Sequence, residues 1–305
     1  MTGVINVYKE KGYTSHDVVA ILRRHFRVSE KTGKDTKIGH TGTLDPQAEG
    51  VLPVCVGRAT KLVDYLTAES KTYKAELILG KTTDTADHTG KVLTTKVVDI
   101  TAPEIENATA CFVGGYMQMP PMYSAIKVHG KRLYQLAREG KTVERKARPV
   151  AISRIDITKI DFDNHRLWLE IDCGKGTYIR SLCEDIGEKL GCGGCMGDLV
   201  RTRSGAFTLA HALKLSALEA LSQNPCQWDF LIPVDQAFPV PKLIVTQYLK
   251  TMMNGHSVHH DHVTINENIK EGHFYWLCYG ETIIGLYKLE GGMFKLEVMM
   301  YENNK

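Results

Sequence analysis

The sequence predicts an α+β fold, and three observations lead there. Apolar and polar side chains alternate with period two at 73–79 and 167–173, which marks strands. Apolar residues recur at helical spacing at 18–26 and 179–190. These signals do not follow a strict βαβ rhythm, so a doubly wound parallel sheet is disfavoured. With 305 residues and 43% hydrophobic side chains, the chain can bury one large core or two unequal ones.

The first element follows Thr14-Ser15-His16-Asp17, a helix start with a Thr cap and an acid three residues on. Val18, Ile21, Leu22 and Phe26 share one face; Arg23, Arg24 and Arg27 are available to the other. The next segment, Gly39-His40-Thr41-Gly42-Thr43-Leu44-Asp45-Pro46, packs a carboxylate, an imidazole and two glycines into one turn. Pro46 biases Asp45 away from helical dihedrals, toward a loop or strand end. Gly39 and Gly42 permit close approach or positive φ. Read from these residues alone, the segment is either a presented carboxylate or a turn whose Asp and Thr oxygens tie up backbone N–H groups.

Tyr73, Ala75, Leu77 and Leu79 alternate with Lys74 and Glu76, a half-buried strand. Thr83 through Gly90 reads as an ordered loop with Asx-type bonds. Sequence distance gives no warrant for pairing Asp84, Asp87 or Asp99 with Asp45. Residues 120–149 open on Pro120-Pro121 and close at Pro149, an insertion with a short helix around Leu133 to Arg138. Over 127–148 it carries eight basic side chains against Glu139 and Glu144, with Tyr123 and Tyr134 interleaved. A charge run is usually a solvated face, but confinement to a proline-bounded insertion favours phosphate contacts and base stacking.

Leu167, Leu169, Ile171 and Cys173 alternate with Trp168, Glu170 and Asp172, and Gly174-Lys175-Gly176-Thr177 breaks the strand. A helix follows, with Ile179, Leu182, Ile186 and Leu190 inward and Gly191 as its stop. Ile232 through Pro241 is a proline-spaced linker. Beyond it, Phe274 to Leu277 and Met293 to Val298 suggest a small β-rich module.

Several classes are excluded or disfavoured. The net charge of +3 names no polyanionic partner by itself. The start resembles no signal peptide, no apolar run is of membrane-spanning length, and eight scattered cysteines suggest reduced thiols in a cytoplasmic protein. Gly80-Lys81-Thr82 lacks the upstream glycine of a phosphate-binding loop, since Ala75 stands nearby, and no G-x-S-x-G appears. Cys192-Gly-Gly-Cys195 has no second pair, so it reads as a Gly-rich turn with buried thiols rather than a metal site. No acid or Cys ligand at helical spacing supports a dedicated metal site at His256, His259, His260 and His262, so they read as a surface loop.

The ordered set of motifs resembles the bacterial tRNA pseudouridine synthase B (TruB) family over most of the first 240 residues. The matching stretches are Gly12 to Val19, Gly39 to Pro46 with Gly50-Val51-Leu52-Pro53, Lys71-Thr72-Tyr73 and Gly80 to Gly90. Pro121 to Lys127, Lys175 to Arg180, and Leu199 to Gly205 follow. Glu10 departs from the family, which usually has Pro after Lys9. The tail matches weakly.

The resemblance implies a mixed, largely antiparallel catalytic domain at 1–238 with an RNA-clamping thumb at about 120–149. It also implies a PUA-like RNA-binding module at 239–305. The implied reaction turns uridine-55 in the T-loop of tRNA into pseudouridine: C1′–N1 breaks, the uracil turns, and C1′–C5 forms. Nothing is oxidised or hydrolysed, so neither cofactor nor metal is expected. By resemblance Asp45 is the nucleophile, Arg180 its partner, and Tyr73 an aromatic face against uracil with a part in proton handling. His40 steadies the flipped nucleotide, Tyr178 and Leu199 line the pocket, and Lys175 contacts phosphate. Lys127, Lys131, Arg132 and Arg138 belong to the clamp. Attack at C1′, attack at C6 and assisted glycal formation all stay open. Guide-dependent relatives such as dyskerin share the motifs. This chain lacks their long basic extensions, so a monomer acting on the T-arm without a protein partner is expected.

Overall fold

Among the described residues, ten strands form the main sheet, which is mixed and largely antiparallel. Its path runs Leu213–Lys214, Gly3–Lys9, Glu49–Val56, Gly194–Ser204, Lys71–Leu79, Arg166–Cys173, Arg148–Asp161 and Gly114–Gln118. Within this sheet, among the described residues, only the pairings of Gly3–Lys9 with Leu213–Lys214 and of Glu49–Val56 with Gly194–Ser204 are parallel. Ile38–His40 hydrogen-bonds to Glu49–Val56, and Phe207–Thr208 to Gly194–Ser204. The computed structural model describes residues 2–25, 36–128, 130–222, 229–245, 247, 249–264 and 269–302. Phe26 and Arg27 lie outside the described residues.

Two helices that position the site pack on this sheet. Ser15–His25 begins with the expected box: Asp17 accepts from the Thr14 N–H and hydroxyl, and Thr14 Oγ1 accepts from Asp17 N. Ile179–Lys189 stops before Gly191, whose φ is +78°. Leu22 and Ile186 from these helices share one buried apolar cluster with Ile5, Leu52, Leu77 and Ile171. Each such side chain contributes about 1.5–3 kcal/mol by leaving water.

The strand bearing Tyr73 departs from expectation. Lys71–Leu79 is not half-buried, because only Lys74 is exposed. The strand lies between Gly194–Ser204 and Arg166–Cys173, and helix covers its apolar face. Glu76 can be buried there because Arg166 pairs with it and its Oε2 accepts from Asp198 N. Ile232–Pro241 also differs from a free linker. Ile232 exchanges backbone hydrogen bonds with Val4, and Val234–Ala237 forms a helix whose Val234 and Ala237 are buried.

The insertion holds a hairpin of Lys127–Val128 and Lys131–Arg132 and a helix at Leu133–Arg138. Leu133 and Leu136 give it a small core of its own. A second sheet runs Val258–His259, Met293–Met299, Thr282–Glu290, Phe274–Tyr279, Lys242–Val245 and Val263–Thr264. It docks through Trp276, which is buried and donates its indole N–H to Phe238 O at 2.9 Å. Arg58 reaches the carbonyl of Met300 at 2.8 Å from the other side of the seam. Cys192 and Cys195 are buried around a turn in which Gly193 N donates to Gly187 O. The cysteines at 55, 111, 173, 183, 192, 195 and 278 form no disulfide. Among the described residues, no helix is long and apolar enough to cross a membrane.

Candidate active site

Asp45 lies in the loop 41–48 between Ile38–His40 and Glu49–Val56, a pair in which His40 stands opposite Val54. The loop is tied down on both sides of the carboxylate. Ser15 donates its hydroxyl to Leu44 O at 3.2 Å and accepts Leu44 N–H at 2.8 Å. Beyond Asp45, Pro46 O accepts from Gly12 N at 2.9 Å and from Lys9 Nζ at 3.2 Å. Lys9 is fully buried and also donates to Tyr13 O at 2.7 Å. Burial lowers its pKa to about 8, while Asp45 and Glu49 act in the opposite direction. Gly42 has φ +138°, a conformation that side chains resist, and so turns the loop before the carboxylate.

Arg180 comes one residue into the Ile179–Lys189 helix, and its side chain is only 5% exposed against 39% for Asp45. Its Nη2 donates to Asp45 Oδ1 at 3.2 Å and its Nε stands 2.8 Å from Oδ2, an ion pair in which the guanidinium faces both carboxylate oxygens. Nη2 also reaches Tyr123 O at 2.8 Å, and Nη1 reaches Thr85 O at 3.1 Å. A guanidinium that leaves water needs such partners for its N–H groups. One side chain therefore joins the Asp45 loop, the Thr83–Gly90 loop and the start of the insertion. The helix itself is aimed by Gln118. That side chain accepts from Tyr178 N at 2.8 Å and donates to Tyr178 O at 3.0 Å.

A cavity of about 10 Å³ opens between Asp45 and Leu199, walled by Gln47, Ala48, Asp87, His88, Met196 and Gly197. Tyr73 sits across from Arg201 in the neighbouring strand. Burial raises its pKa, the Arg201 guanidinium opposes that shift, and Asp45 adds to it. The Tyr178 phenol is likewise pushed up by burial, opposed by Arg180 and reinforced by Asp45. Both phenols thus feel the same carboxylate. His40 is half-buried beside Arg201 and His16, and burial followed by these two charges lowers its pKa. Its Nδ1 accepts from Gly42 N at 3.3 Å, which suits the neutral ring with Nε2 protonated.

Of the candidate residues, Asp45 and Leu199 line the cavity, Arg180 pairs with Asp45, and the Asp45 charge acts on Tyr73 and Tyr178. His40 flanks this group and does not line the cavity. Lys175 is exposed in the turn before the helix, close enough to Lys71 to repel it. Lys127, Lys131, Arg132 and Arg138 are exposed on the insertion, apart from the cavity. The guanidinium groups of Arg132 and Arg138 lie 6.0 Å and 5.5 Å from the Tyr134 ring centroid. A larger cleft of about 300 Å³, lined in part by Glu104, Cys111 and Lys189, holds none of the candidate residues.

Sequence reasoning missed four residues here. Asp87 and His88 form cavity wall although nothing in the sequence tied them to Asp45. The Asp87 carboxylate is occupied by Thr89 N at 3.0 Å and by the Thr85 and Thr89 hydroxyls, so it builds the loop as expected. Arg201, 1% exposed, donates Nε to Val51 O at 2.7 Å and Nη2 to Gly42 O at 3.1 Å. It fastens the Asp45 loop to the strand beside Tyr73. Gly50 makes room for this crossing, because a Cβ there would stand 2.2 Å from Arg201 O. Lys9 is the fourth. A basic residue inside an apolar strand pattern was the available signal for both cations.

The arrangement is an oriented carboxylate with an open face, backed by a buried cation, and the carboxylate's charge also acts on the Tyr73 and Tyr178 phenols. Such a group suits nucleophilic attack on an electrophilic carbon. Comparisons with known proteins place the chain in a family. The profile of the TruB family pseudouridylate synthase N-terminal domain matches residues 27–179, and that of the tRNA pseudouridylate synthase B C-terminal domain matches 180–238. The tRNA pseudouridine synthase B of Lachnoclostridium phytofermentans is 50% identical over 272 residues, 87% of this chain and 86% of that protein. The Clostridium perfringens protein of the same name is 42% identical over 308 residues, 99% of this chain and all of that one. Among solved structures, the archaeal box H/ACA sRNP Nop10–Cbf5 complex contains a similar chain, with TM-score 0.73 and 25% identity over 99% of this chain and 87% of that one. An H/ACA RNP bound to a substrate RNA containing 2′-deoxyuridine shares the fold, with TM-score 0.73, 23% identity and coverage of 99% and 86%.

Proposed function

The chain belongs to the TruB family of pseudouridylate synthases, and from that premise we propose that it converts uridine-55 in the T-loop of tRNA to pseudouridine. The observation that carries this reading is the Asp45–Arg180 ion pair at a cavity edged by Leu199. Asp45 is the nucleophile. It acts at C1′, at C6, or by assisting a glycal intermediate, and each route ends with C1′ bonded to C5 and a C5 proton released. Tyr73 stacks on the uracil and handles that proton, while Arg180 fixes the plane of the carboxylate.

The cavity accommodates about one water, so a base enters only when its walls part. A uridine in the T-loop must also be extruded, at a cost of a few kcal/mol in lost stacking. His40, neutral and beside the loop, steadies the displaced nucleotide. Tyr178 and Leu199 close around the base, and Lys175 meets a phosphate. Residues 1–238 act as the catalytic unit, with 120–149 clamping the T-arm through Lys127, Lys131, Arg132 and Arg138. Residues 239–305 extend the RNA contact. The isomerisation redistributes bonds within one nucleoside, so the reading invokes no cofactor.

The test is a T-arm stem-loop RNA tritiated at uridine C5. Release of tritium to water with the label's ribose retained in RNA supports a synthase. Release of labelled uracil would mean a glycosidase, and RNA binding without either product would mean a non-catalytic tRNA-binding or folding factor.

A further inference from the structure

The tail histidines are arranged differently from a featureless surface loop. His259 and His260 end an edge strand and enter a short 3-10 turn with Asp261. A ring nitrogen from each histidine and a carboxylate oxygen of Asp261 lie within 4.8 Å of one another. His259 Nδ1, which accepts from Asp261 N at 3.4 Å, stands 3.2 Å from Asp261 Oδ2, and His260 Nε2 stands 3.2 Å from Oδ1. Nitrogen and oxygen ligands about 2.0–2.2 Å from a tetrahedral zinc ion stand roughly 3.4 Å apart, close to these separations.

A second observation concerns the backing of the ligands. His260 Nδ1 lies 2.9 Å from Gly292 O, which makes Nδ1 the protonated nitrogen and leaves the Nε2 lone pair facing Asp261. Backbone carbonyls play this orienting role for metal-bound histidines. The Gly291-Gly292 turn is itself held, since Glu271 accepts from Gly291 N at 3.0 Å and Gly292 N at 2.9 Å. Residue 292 must be small: a Cβ there would stand 3.3 Å from His260 Nδ1 and 3.5 Å from His259 Nε2, at φ +75°. Two segments far apart in sequence thus place the pair of rings.

We propose that His259, His260 and Asp261 form a site for one divalent cation of the zinc class, with the remaining coordination left to water. Two imidazoles and one carboxylate select a borderline metal over calcium or magnesium. Bound there, the cation replaces the negative charge of Asp261 with net positive charge and fastens the 258–262 turn to the 291–292 turn. The site is independent of the reaction proposed for Asp45.

The experiment uses untagged full-length protein in a Cys111→Ser background, which removes the exposed thiol. Zn2+ is titrated against a chromophoric chelator, and Co2+ is followed by its visible absorption. The expected result is one equivalent per chain, with His260→Ala and Asp261→Asn each weakening it about tenfold or more. His256→Ala, outside the cluster, should leave binding unchanged, and Asp261→Asn preserves side-chain shape so that folding is maintained. No stoichiometric binding at micromolar metal, binding that survives His260→Ala, or equal loss in His256→Ala would overturn the assignment.

Discussion

Arg180 grips both oxygens of Asp45, with Nε–Oδ2 at 2.8 Å and Nη2–Oδ1 at 3.2 Å, while itself only 5% exposed. The asymmetry matters. The cation is buried and satisfied, and the anion keeps an open face toward the cavity. Arg180→Lys retains a charge but loses the fork and the carbonyl contacts to Thr85 and Tyr123. Turnover should fall about 100-fold or more, with RNA affinity nearly unchanged, because misplacing the reacting group by about 1 Å costs that much. Single-turnover rates check this, and a rate within twofold of the parent would contradict the positioning role.

His40 should titrate below its ordinary 6.5, because burial, Arg201 and His16 all favour the neutral ring. In nitrogen-edited NMR the neutral form should carry its proton on Nε2. The linkage has a definite sign: the folded state binds less proton at His40 than the unfolded chain does. Its contribution to stability is present above pH 6.5 and is lost as pH falls below that value. His40→Ala should slow turnover without abolishing it, since flipping governs access rather than bond chemistry. A loss as deep as that at Asp45 would contradict this division.

Arg201 fastens the carbonyls of Gly42 and Val51 and stands across from Tyr73. Replacing it with Met strands both carbonyls in a dry interior, at about 1–3 kcal/mol each. The loop should loosen as well as the fold weaken. Arg201→Lys, which keeps the charge, should recover more thermal stability than turnover. Equal recovery of both would reduce Arg201 to scaffold.

Much of this was legible in the sequence, and the failures have specific causes. Both helices were legible because their caps, Thr14 with Asp17 and Gly191, are local signals. Tyr73's strand was misread as half-buried because Glu76 looks solvent-facing until Arg166, ninety residues away, is placed beside it. The docking of the linker at 232–241 was not legible because the backbone partner of Ile232 is Val4, at the far end of the chain. Asp87 and His88 escaped for the same reason: a cavity wall is a tertiary fact, and period and spacing carry no record of it. The pairing of Arg180 with Asp45 came from resemblance, not from spacing.

The insertion should act through charge. Neutralising Lys131, Arg132 and Arg138 together should weaken T-arm binding and lower the salt slope by up to about three phosphate contacts. Since Arg132 and Arg138 also flank the Tyr134 ring, Tyr134→Ala should weaken binding with little change in slope. Fluorescence anisotropy at several salt concentrations separates the two effects, and an unchanged slope in the triple variant would contradict a clamp.

The most direct measurement is single-turnover tritium release by Asp45→Asn on the C5-labelled T-arm, alongside its RNA affinity. Asn preserves the shape of the side chain but not its charge or nucleophilicity. The expected result is binding within about threefold of the parent and no detectable release, the signature of an interaction made in the chemical step. Substantial release by this variant would contradict the assignment of Asp45.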